Sequence, residues 1–405
     1  MNDILTPSVV SPPVAPDPVP APSRIEFAND RAGFRRLVMR GAFLELITFG
    51  FYRFWLATDM RRHLWSHTSV DGDAPEYTGT AKELLIGFLV ALAILAPIYI
   101  AYFLIGIEAE RFQAFASTPL ALFYYLFIQF AVYRARRYRL TRTVWRGVRF
   151  SMGGSGTGYA WRVGLWSLLV YISFGFALPW RQAALERYKM RHTAYGSLKG
   201  SFEGTGGGLF RRGWWLWVLG WAVIVVLLVL AAFHPGFAGV LSLLALVALP
   251  FWYAAYKAIE WRWWIAGLRF GDVRFESDFK SDQLSGLYWT VIAWSLLLIL
   301  GLGLWMGAVG GIGYAMLGHE TTGEQAAFAL AQNPVTLVGA AIGYMAYILG
   351  FWAVMRLYLI HDVWQRVVNS MTVHNLAAAI DVSEQGQVVS ALGEGFADSL
   401  DIGGL

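Results

Sequence analysis

The 405-residue sequence contains no cysteine, which excludes disulfide bonds and cysteine-ligated metal or iron–sulfur sites. Charged residues are also scarce, at 15% of the chain, whereas 57% of the residues are hydrophobic and the mean hydropathy is +0.49. Soluble globular chains carry more charge and less apolar surface than this. The composition therefore predicts a polytopic α-helical membrane protein.

Several apolar runs are long enough to cross a hydrocarbon core, which takes about 20 helical residues. Two shorter segments, 37–55 and 163–180, are also apolar but are interrupted by charge or proline. The six predicted spans are 84–106, 117–133, 214–233, 238–256, 288–315 and 335–360.

A repeat with a fixed offset of 125 positions is the strongest pattern in the sequence. The phrase ITFGFYRFW at 47–55 returns as ISFGFALPW at 172–180, and matches continue on both sides of it. Matches at one unbroken offset indicate a tandem duplication. Structural or interaction roles are expected for the matched pairs Gly50 and Gly175, Trp55 and Trp180, Arg62 and Arg187, Thr68 and Thr193, and Gly79 and Gly204.

The repeat divides the chain into segments with different expected structures. Each repeat contains two basic, aromatic helix ends followed by turn-rich residues, which predict short β-hairpins outside the bilayer, because exposed strands have no hydrogen-bond partners in lipid. The predicted segments are a disordered proline-rich tail (1–23), two membrane repeats (24–157 and 158–285), a C-terminal helix pair (286–375) and an acidic tail (376–405).

Positive charge is concentrated at the four hairpins and is sparse in the loops 106–112, 234–236 and 318–334. By the positive-inside rule the hairpins and both termini are cytoplasmic. We therefore expect the basic face, which gives the chain its net charge of +5, to contact anionic lipid headgroups, and we expect no nucleic-acid partner.

The segments 37–55 and 163–180 conflict with this orientation, since each is flanked by basic residues on both sides. An arginine such as Arg53 near mid-membrane costs about 2.5–3.5 kcal/mol on insertion scales. We therefore expect both segments to enter from the cytoplasmic side, turn at Gly50 or Gly175, and return. This gives six spans; the alternative is eight spans with hairpins on alternating sides.

No catalytic or metal-binding constellation is recognisable. Glu45 and Arg40 form the closest charged pair; they are either a buried ion pair or partly hydrated charges at the interface, and we favour the second. His67 and His192 occupy matched positions before a threonine and lack ligand partners at suitable spacing, so a role in starting the hairpin is favoured over a metal site. Neither an enzyme nor a cofactor is predicted.

Small residues and the acidic tail suggest two contacts. The GxxxG pairs allow close helix packing, either between the last two spans or, as a second possibility, in a homo-oligomer. The tail could dock on the basic hairpins of its own chain, dock on a partner, or stay solvated. The GxxxG residues are Gly303 and Gly307, and Gly339 and Gly343.

Four phrases carry a family resemblance: TFGFYRFW, MRRHLWSHTSVDG, EYTGTAKELLIGFLVALA and GEGFADSLDIGGL. They resemble the YjgN-type bacterial inner-membrane proteins, a family of unknown function, and the similarity covers about residues 24–405. Here His67-Thr68 and His192-Thr193 stand where the family usually has Asn-Thr, and Ala177 replaces the expected tyrosine. The resemblance implies a multi-pass protein of the bacterial inner membrane and supplies no catalytic residues.

Two functions are compatible with these observations. The first is binding or transport of an apolar or amphiphilic small molecule by the duplicated bundle. The second is a membrane scaffold or assembly factor, in which the hairpins and the acidic tail bind a cytoplasmic partner.

Overall fold

The computed structural model describes residues 22–109, 118–317, 329–380, 382–384 and 398. Almost all of the predicted tail 1–23, most of the loop 318–334 and most of the segment 376–405 lie outside these residues. Within them the chain forms ten strands: β1 (Ser23–Phe27), β2 (Thr68–Val70), β3 (Glu76–Tyr77), β4 (Thr143–Trp145), β5 (Val148–Met152), β6 (Thr193–Tyr195), β7 (Leu198–Phe202), β8 (Leu268–Phe270), β9 (Val273–Ser277) and β10 (Met371–His374).

All ten strands belong to one antiparallel sheet, in the order β2-β1-β10-β9-β8-β7-β6-β5-β4-β3. The strands at its two ends, β2 and β3, follow each other in the chain, and an isolated bridge between Val70 and Asp73 closes the turn that follows β2. Side chains from β2, β4, β6, β9 and β10 line one shared cavity, so the sheet is curled. The hairpin pattern in the sequence predicted separate short hairpins and not their union into one sheet.

Tight turns connect the strands along one rim of this sheet. Asp71 and Gly72 have φ values of 55° and 83°, and Arg146 and Gly147 have values of 47° and 76°. Two successive positive φ angles define the type I′ turn, whose twist matches that of antiparallel strands. Glycine at the second position carries this conformation without steric cost.

Helices connect the strands along the opposite rim, and every helical connection joins two neighbouring strands. A π-helical stretch, Met355–Asp362, continues α10 into α11. The helices are α1 (Arg31–Ile47), α2 (Arg53–Ser66), α3 (Ala81–Ala109), α4 (Thr118–Thr141), α5 (Gly156–Ile172), α6 (Leu178–Arg191), α7 (Gly206–Phe233), α8 (Pro235–Gly267), α9 (Asp282–Leu317), α10 (Pro334–Val354) and α11 (Val363–Asn369).

Two of the helical connections, α1–α2 and α5–α6, are short hairpins whose bounds differ by 125 positions throughout. Gly50 and Gly175 lie in their turns with φ values of 86° and 88°, each preceded by a phenylalanine that also has positive φ. The turns expected at these two glycines are therefore present. The hairpins' position relative to a bilayer remains a prediction.

Five helical stretches are long and apolar enough to cross a membrane: Ala81–Phe103, Gly206–Phe233, Gly236–Gly267, Asp282–Met316 and Pro334–Asn369. The sequence predicted six. Helix α4, which contains the sixth predicted span (117–133), does not qualify among the described residues, because its last turns carry Arg134, Arg136, Arg137 and Arg139. Its apolar part, 118–133, is shorter than the roughly 20 residues that a straight crossing takes.

The inside of the curled sheet is apolar. Trp145, Tyr195, Val273 and Val373 are buried there and belong to one cluster. A cavity of about 280 Å³ remains between them, and residues 376 and 379 of a short 3₁₀ helix form part of its wall. The sheet thus has an apolar interior that encloses a cavity, and the helix ends meet at its rim.

Candidate functional site

A cleft of about 540 Å³ lies where the α1–α2 hairpin meets α10 and its π-helical extension. One wall comes from Met345, Ile348, Leu349 and Trp352, which recur at the spacing of one helix face. Phe49 and other apolar residues of the α1–α2 hairpin form the opposite wall. The cleft therefore presents an apolar surface along a helix that is apolar enough to cross a membrane.

Charged side chains also line this cleft: Glu45, Arg53, Arg61, Arg356 and Asp398. They come from three separate parts of the chain, namely the α1–α2 hairpin, the π-helical stretch and the C-terminal segment. π-Helical turns inside α-helices are rare and are often found at functional sites. Several ionised groups beside an apolar wall are suited to binding an amphiphilic molecule.

Glu45 and Arg356 form a two-fold hydrogen-bonded ion pair in this cleft, with N–O distances of 3.0 and 2.8 Å. Only 5% of the Glu45 side chain and 13% of the Arg356 side chain are exposed. The sequence paired Glu45 with Arg40 and expected both to be partly hydrated, which is wrong for Glu45. Arg356 lies 311 positions away, so no local spacing could indicate this pair.

Arg61 is buried and is held by the C-terminal segment. Its guanidinium donates to both carboxylate oxygens of Asp398, with an Nη2–Oδ1 distance of 3.0 Å, and also to the Tyr77 hydroxyl at 3.3 Å. Arg139 Nε lies 3.6 Å from the same carboxylate. One carboxylate from the acidic segment thus neutralises two buried arginines, and at this residue the tail docks on its own chain.

The surroundings of this cluster shift the pKa values of Arg61, Tyr77 and Arg139. Burial is the largest single effect on Arg61 and disfavours its charged form, but Asp398 and Tyr77 together outweigh burial and raise the pKa of Arg61 above its ordinary value. Burial is the main cause that raises the pKa of Tyr77. Burial also lowers the pKa of Arg139, although Asp398 opposes that change. An anion at the position of Asp398 thus stabilises the charged form of the buried Arg61.

The fifth charged residue, Arg53, lies between aromatic rings. Its guanidinium carbon is 4.8 Å from the ring centre of Phe54 and 4.6 Å from that of Phe88. Cation–π contacts of this kind hold a guanidinium beside apolar surface. The arginine that made segment 37–55 an unfavourable membrane span in the sequence is therefore part of the cleft.

The second hairpin has no equivalent charges. The positions 125 residues after Glu45 and Arg61 are Val170 and Glu186. The charged cleft is therefore specific to the first hairpin, even though α5 and α6 copy the bounds of α1 and α2.

Of the residue pairs found from the repeat, only Gly50 lines the cleft among the described residues. Several of the others make hydrogen bonds that support the fold. Arg62 Nη2 donates to the Gly79 carbonyl at 2.9 Å, and Arg187 repeats this contact with Gly204 at 3.4 Å. Each threonine hydroxyl donates to the carbonyl four residues earlier, at 2.8 Å for Thr68 and 2.9 Å for Thr193. These bonds fix the start of a strand after each short hairpin.

The remaining predicted residues lie on helix surfaces. Trp55 and Trp180 are 38% and 42% exposed. A Cβ at Gly339 would meet Val309, and one at Gly343 would meet Trp305, so this GxxxG pair does face α9. A Cβ at Gly303 or Gly307 would meet nothing within 4 Å among the described residues, so the mutual packing expected of both pairs is wrong for this one.

The fold and the cleft define an α-helical membrane protein whose helices are anchored in a small curled sheet. The chain belongs to the family described as bacterial protein of unknown function (DUF898), whose model matches residues 22–399. The match confirms the resemblance seen in the sequence. Neither a curated protein nor a solved structure matches the chain.

Proposed function

We propose that this protein binds an anionic amphiphile, such as a phospholipid, in the cleft between the α1–α2 hairpin and α10. The observation that carries the proposal is the presence of Arg53, Arg61 and Arg356 beside an apolar wall on a helix suited to crossing a membrane. Acyl chains would lie along Met345–Trp352, and a phosphate would lie near the arginines. Arginine binds phosphate through paired, charge-assisted hydrogen bonds.

Asp398 has a role in the same proposal. Its carboxylate makes with Arg61 the contacts that a headgroup phosphate would make. Because two anions cannot share one guanidinium face, Asp398 and the ligand compete. The C-terminal segment then acts as an internal competitor, which releases Arg61 when an anionic headgroup arrives.

We also propose that the sheet lies on the cytoplasmic side of a bacterial inner membrane. The arginines of α4 and the strands lie next to the sheet, as the positive-inside rule requires of a cytoplasmic layer. β5 pairs with β6, so the second and third hairpins of the sequence are neighbours in one sheet. An eight-span topology would put these two hairpins on opposite sides of the bilayer, and the pairing therefore supports an even number of crossings between them.

The binding proposal is tested by native mass spectrometry of the full-length protein, released from nanodiscs that contain equal amounts of phosphatidylglycerol and phosphatidylcholine. We expect retained lipid to be mainly phosphatidylglycerol. Arg61→Gln and Arg356→Gln should lower this retention, whereas Arg187→Gln, an exposed arginine outside the cleft, should not.

Asp398→Asn provides a gain of binding that a folding defect cannot imitate. Charge-assisted hydrogen bonds contribute about 1.5–3 kcal/mol, so removing the competitor should tighten phosphatidylglycerol binding roughly tenfold or more. Equal retention of both lipids, together with no change in Asp398→Asn, would overturn the proposal.

Transport is a further step that binding alone does not require. Lipid scrambling or small-solute flux in vesicles with and without the protein distinguishes the two. Equal flux would restrict the function to binding. The scaffold alternative gains no support from Asp398, because this residue is buried against the chain's own arginines.

A further inference from the structure

Three side chains with metal-ligating atoms converge outside the cleft, where β1 leads into α1 and α2 ends. Asp30 precedes α1, His63 lies in the last turn of α2, and His67 follows that helix. One carboxylate oxygen and one ring nitrogen from each histidine lie within 4.8 Å of one another. Histidines four positions apart on a helix are a recurrent metal-ligand pair.

Hydrogen bonds orient two of the three groups. Asp30 Oδ1 accepts the Gly33 backbone N–H at 2.9 Å, which leaves Oδ2 directed at the histidines. His67 Nδ1 lies 2.7 Å from the His63 carbonyl, and a carbonyl can only accept, so Nδ1 carries the proton. The lone pair is therefore on Nε2, 4.0 Å from Asp30 Oδ2. A backbone carbonyl on the second ring nitrogen is the usual support of a metal-bound histidine.

The third group, His63, has a shielded ring nitrogen. Its Nε2 is buried and has no hydrogen-bond partner among the described residues. The two imidazole rings stack with centroids 4.0 Å apart, and Phe34 covers His63 at 5.4 Å. A buried polar atom without a partner costs free energy, and a bound cation would remove that cost.

The second repeat shows how the same position is built without ligand atoms. The residues 125 positions further on are Ser155, Tyr188 and His192. The Tyr188 hydroxyl donates to the Ser155 carbonyl at 2.9 Å, and His192 Nδ1 lies 2.8 Å from the Tyr188 carbonyl. The Tyr188 side chain thus connects the end of α6 to the turn before α5 without requiring a bound ion. In the first repeat the corresponding residues are Asp30, His63 and His67, all of which carry metal-ligating atoms.

We propose that Asp30, His63 and His67 bind a divalent transition-metal ion, with zinc as the best fit. Two imidazoles and one carboxylate are a known zinc ligand set, with a fourth position for water. In a tetrahedral site, ligand atoms about 2.1 Å from the ion lie roughly 3.4 Å apart. Asp30 Oδ2 and His67 Nε2 are 4.0 Å apart and all three ligand atoms lie within 4.8 Å, so side-chain rotations would have to draw them together around the ion. The ion would tie the β1–α1 junction to the end of α2, the helix that carries Arg61.

The test uses full-length protein in detergent, treated with a chelator and then titrated with Zn²⁺ alone by isothermal calorimetry and with Co²⁺ by visible absorption. We expect one ion per chain and the intense d–d absorption of a four-coordinate cobalt site. Supporting residues of such sites are worth about 10–100-fold in affinity, so loss of a ligand should weaken binding by at least that much.

Asp30→Ser/His63→Tyr, which installs the residues of the second repeat, is the matched variant. It should stay monodisperse and keep its metal-free melting temperature, yet lose both the calorimetric signal and the raised melting temperature that Zn²⁺ gives the wild type. His234→Gln, an exposed histidine between α7 and α8, should bind as the wild type does. Absence of stoichiometric binding in the wild type, or unchanged binding in the double variant, would overturn the proposal.

Discussion

At the scale of single residues, the cleft depends on ion pairs that close over long distances in the sequence. Glu45 and Arg356 are both largely buried, and each satisfies the other through two hydrogen bonds. Burying an ion pair is expensive, and leaving one member without its partner is more so. A substitution of either residue alone is therefore expected to lower the free energy of unfolding.

Glu45→Gln is expected to lower the free energy of unfolding by about 3–5 kcal/mol, because Arg356 stays buried without a counter-charge. Glu45→Gln/Arg356→Met should recover most of this loss, since the uncompensated charge is then gone. Thermal and denaturant unfolding in detergent measure both effects. Arg40→Gln, at an exposed site on the same helix, should change stability by less than about 0.5 kcal/mol. Equal losses in Arg40→Gln and Glu45→Gln would contradict the assignment.

At the scale of elements, the two short hairpins are set by their turn glycines. Gly50 and Gly175 have φ values of 86° and 88°, and a Cβ at either position would meet nothing within 4 Å. A side chain there would have room, but the positive φ angle is unfavourable for any residue with a Cβ. Alanine at these positions therefore isolates backbone strain from steric clash.

Gly50→Ala and Gly175→Ala should each destabilise the protein by about 1–2 kcal/mol, the cost of a left-handed conformation for a residue with a Cβ. Gly207→Ala is the matched control, because Gly207 also has open space around it but lies in the first turn of α7 without positive φ. That control should be neutral or slightly stabilising. Unfolding in detergent compares the three, and an equal loss in all of them would show that the turns do not require glycine.

The sequence indicated these turns because glycine, aromatic residues and the 125-position offset are local or repeated signals. It could not indicate that β1 pairs with β10, where Ser23 lies opposite Val373. Nor could it place Asp398 on Arg61, since a contact over 337 positions leaves no spacing to read. The sheet and the cleft are both made by such contacts. The helices were therefore predictable and the site was not.

The metal ligands illustrate the same limit. His63 and His67 have a spacing that can be read from the sequence, but Asp30 comes from the turn before α1. It reaches the histidines only because α1 and α2 fold back on each other at Gly50. The sequence accordingly favoured a turn-forming role for His67.

At the scale of the whole molecule, the order of strands and helices restricts how the chain can lie in a membrane. Each helical connection leaves the sheet and returns to the neighbouring strand, so tight turns such as 71–72 and 196–197 share one rim. The junction between α7 and α8 lies about 42 Å from the start of α7, because each of the 28 residues of this helix adds 1.5 Å. That length exceeds the roughly 30 Å of a hydrocarbon core.

Because the chain has no cysteine, single-cysteine variants report accessibility without background. In spheroplasts treated with a membrane-impermeant maleimide, His234→Cys should be labelled, whereas Asp71→Cys and Ser197→Cys should be labelled only after lysis. The eight-span alternative predicts instead that Asp71→Cys and Ser197→Cys react from opposite sides. The two turns belong to a single hydrogen-bonded sheet, so opposite reactivity would require the sheet to be broken between β5 and β6. External labelling of Ser197→Cys alone would therefore contradict both the orientation and the sheet, and equal protection of both turns would support a sheet that lies entirely in the cytoplasm.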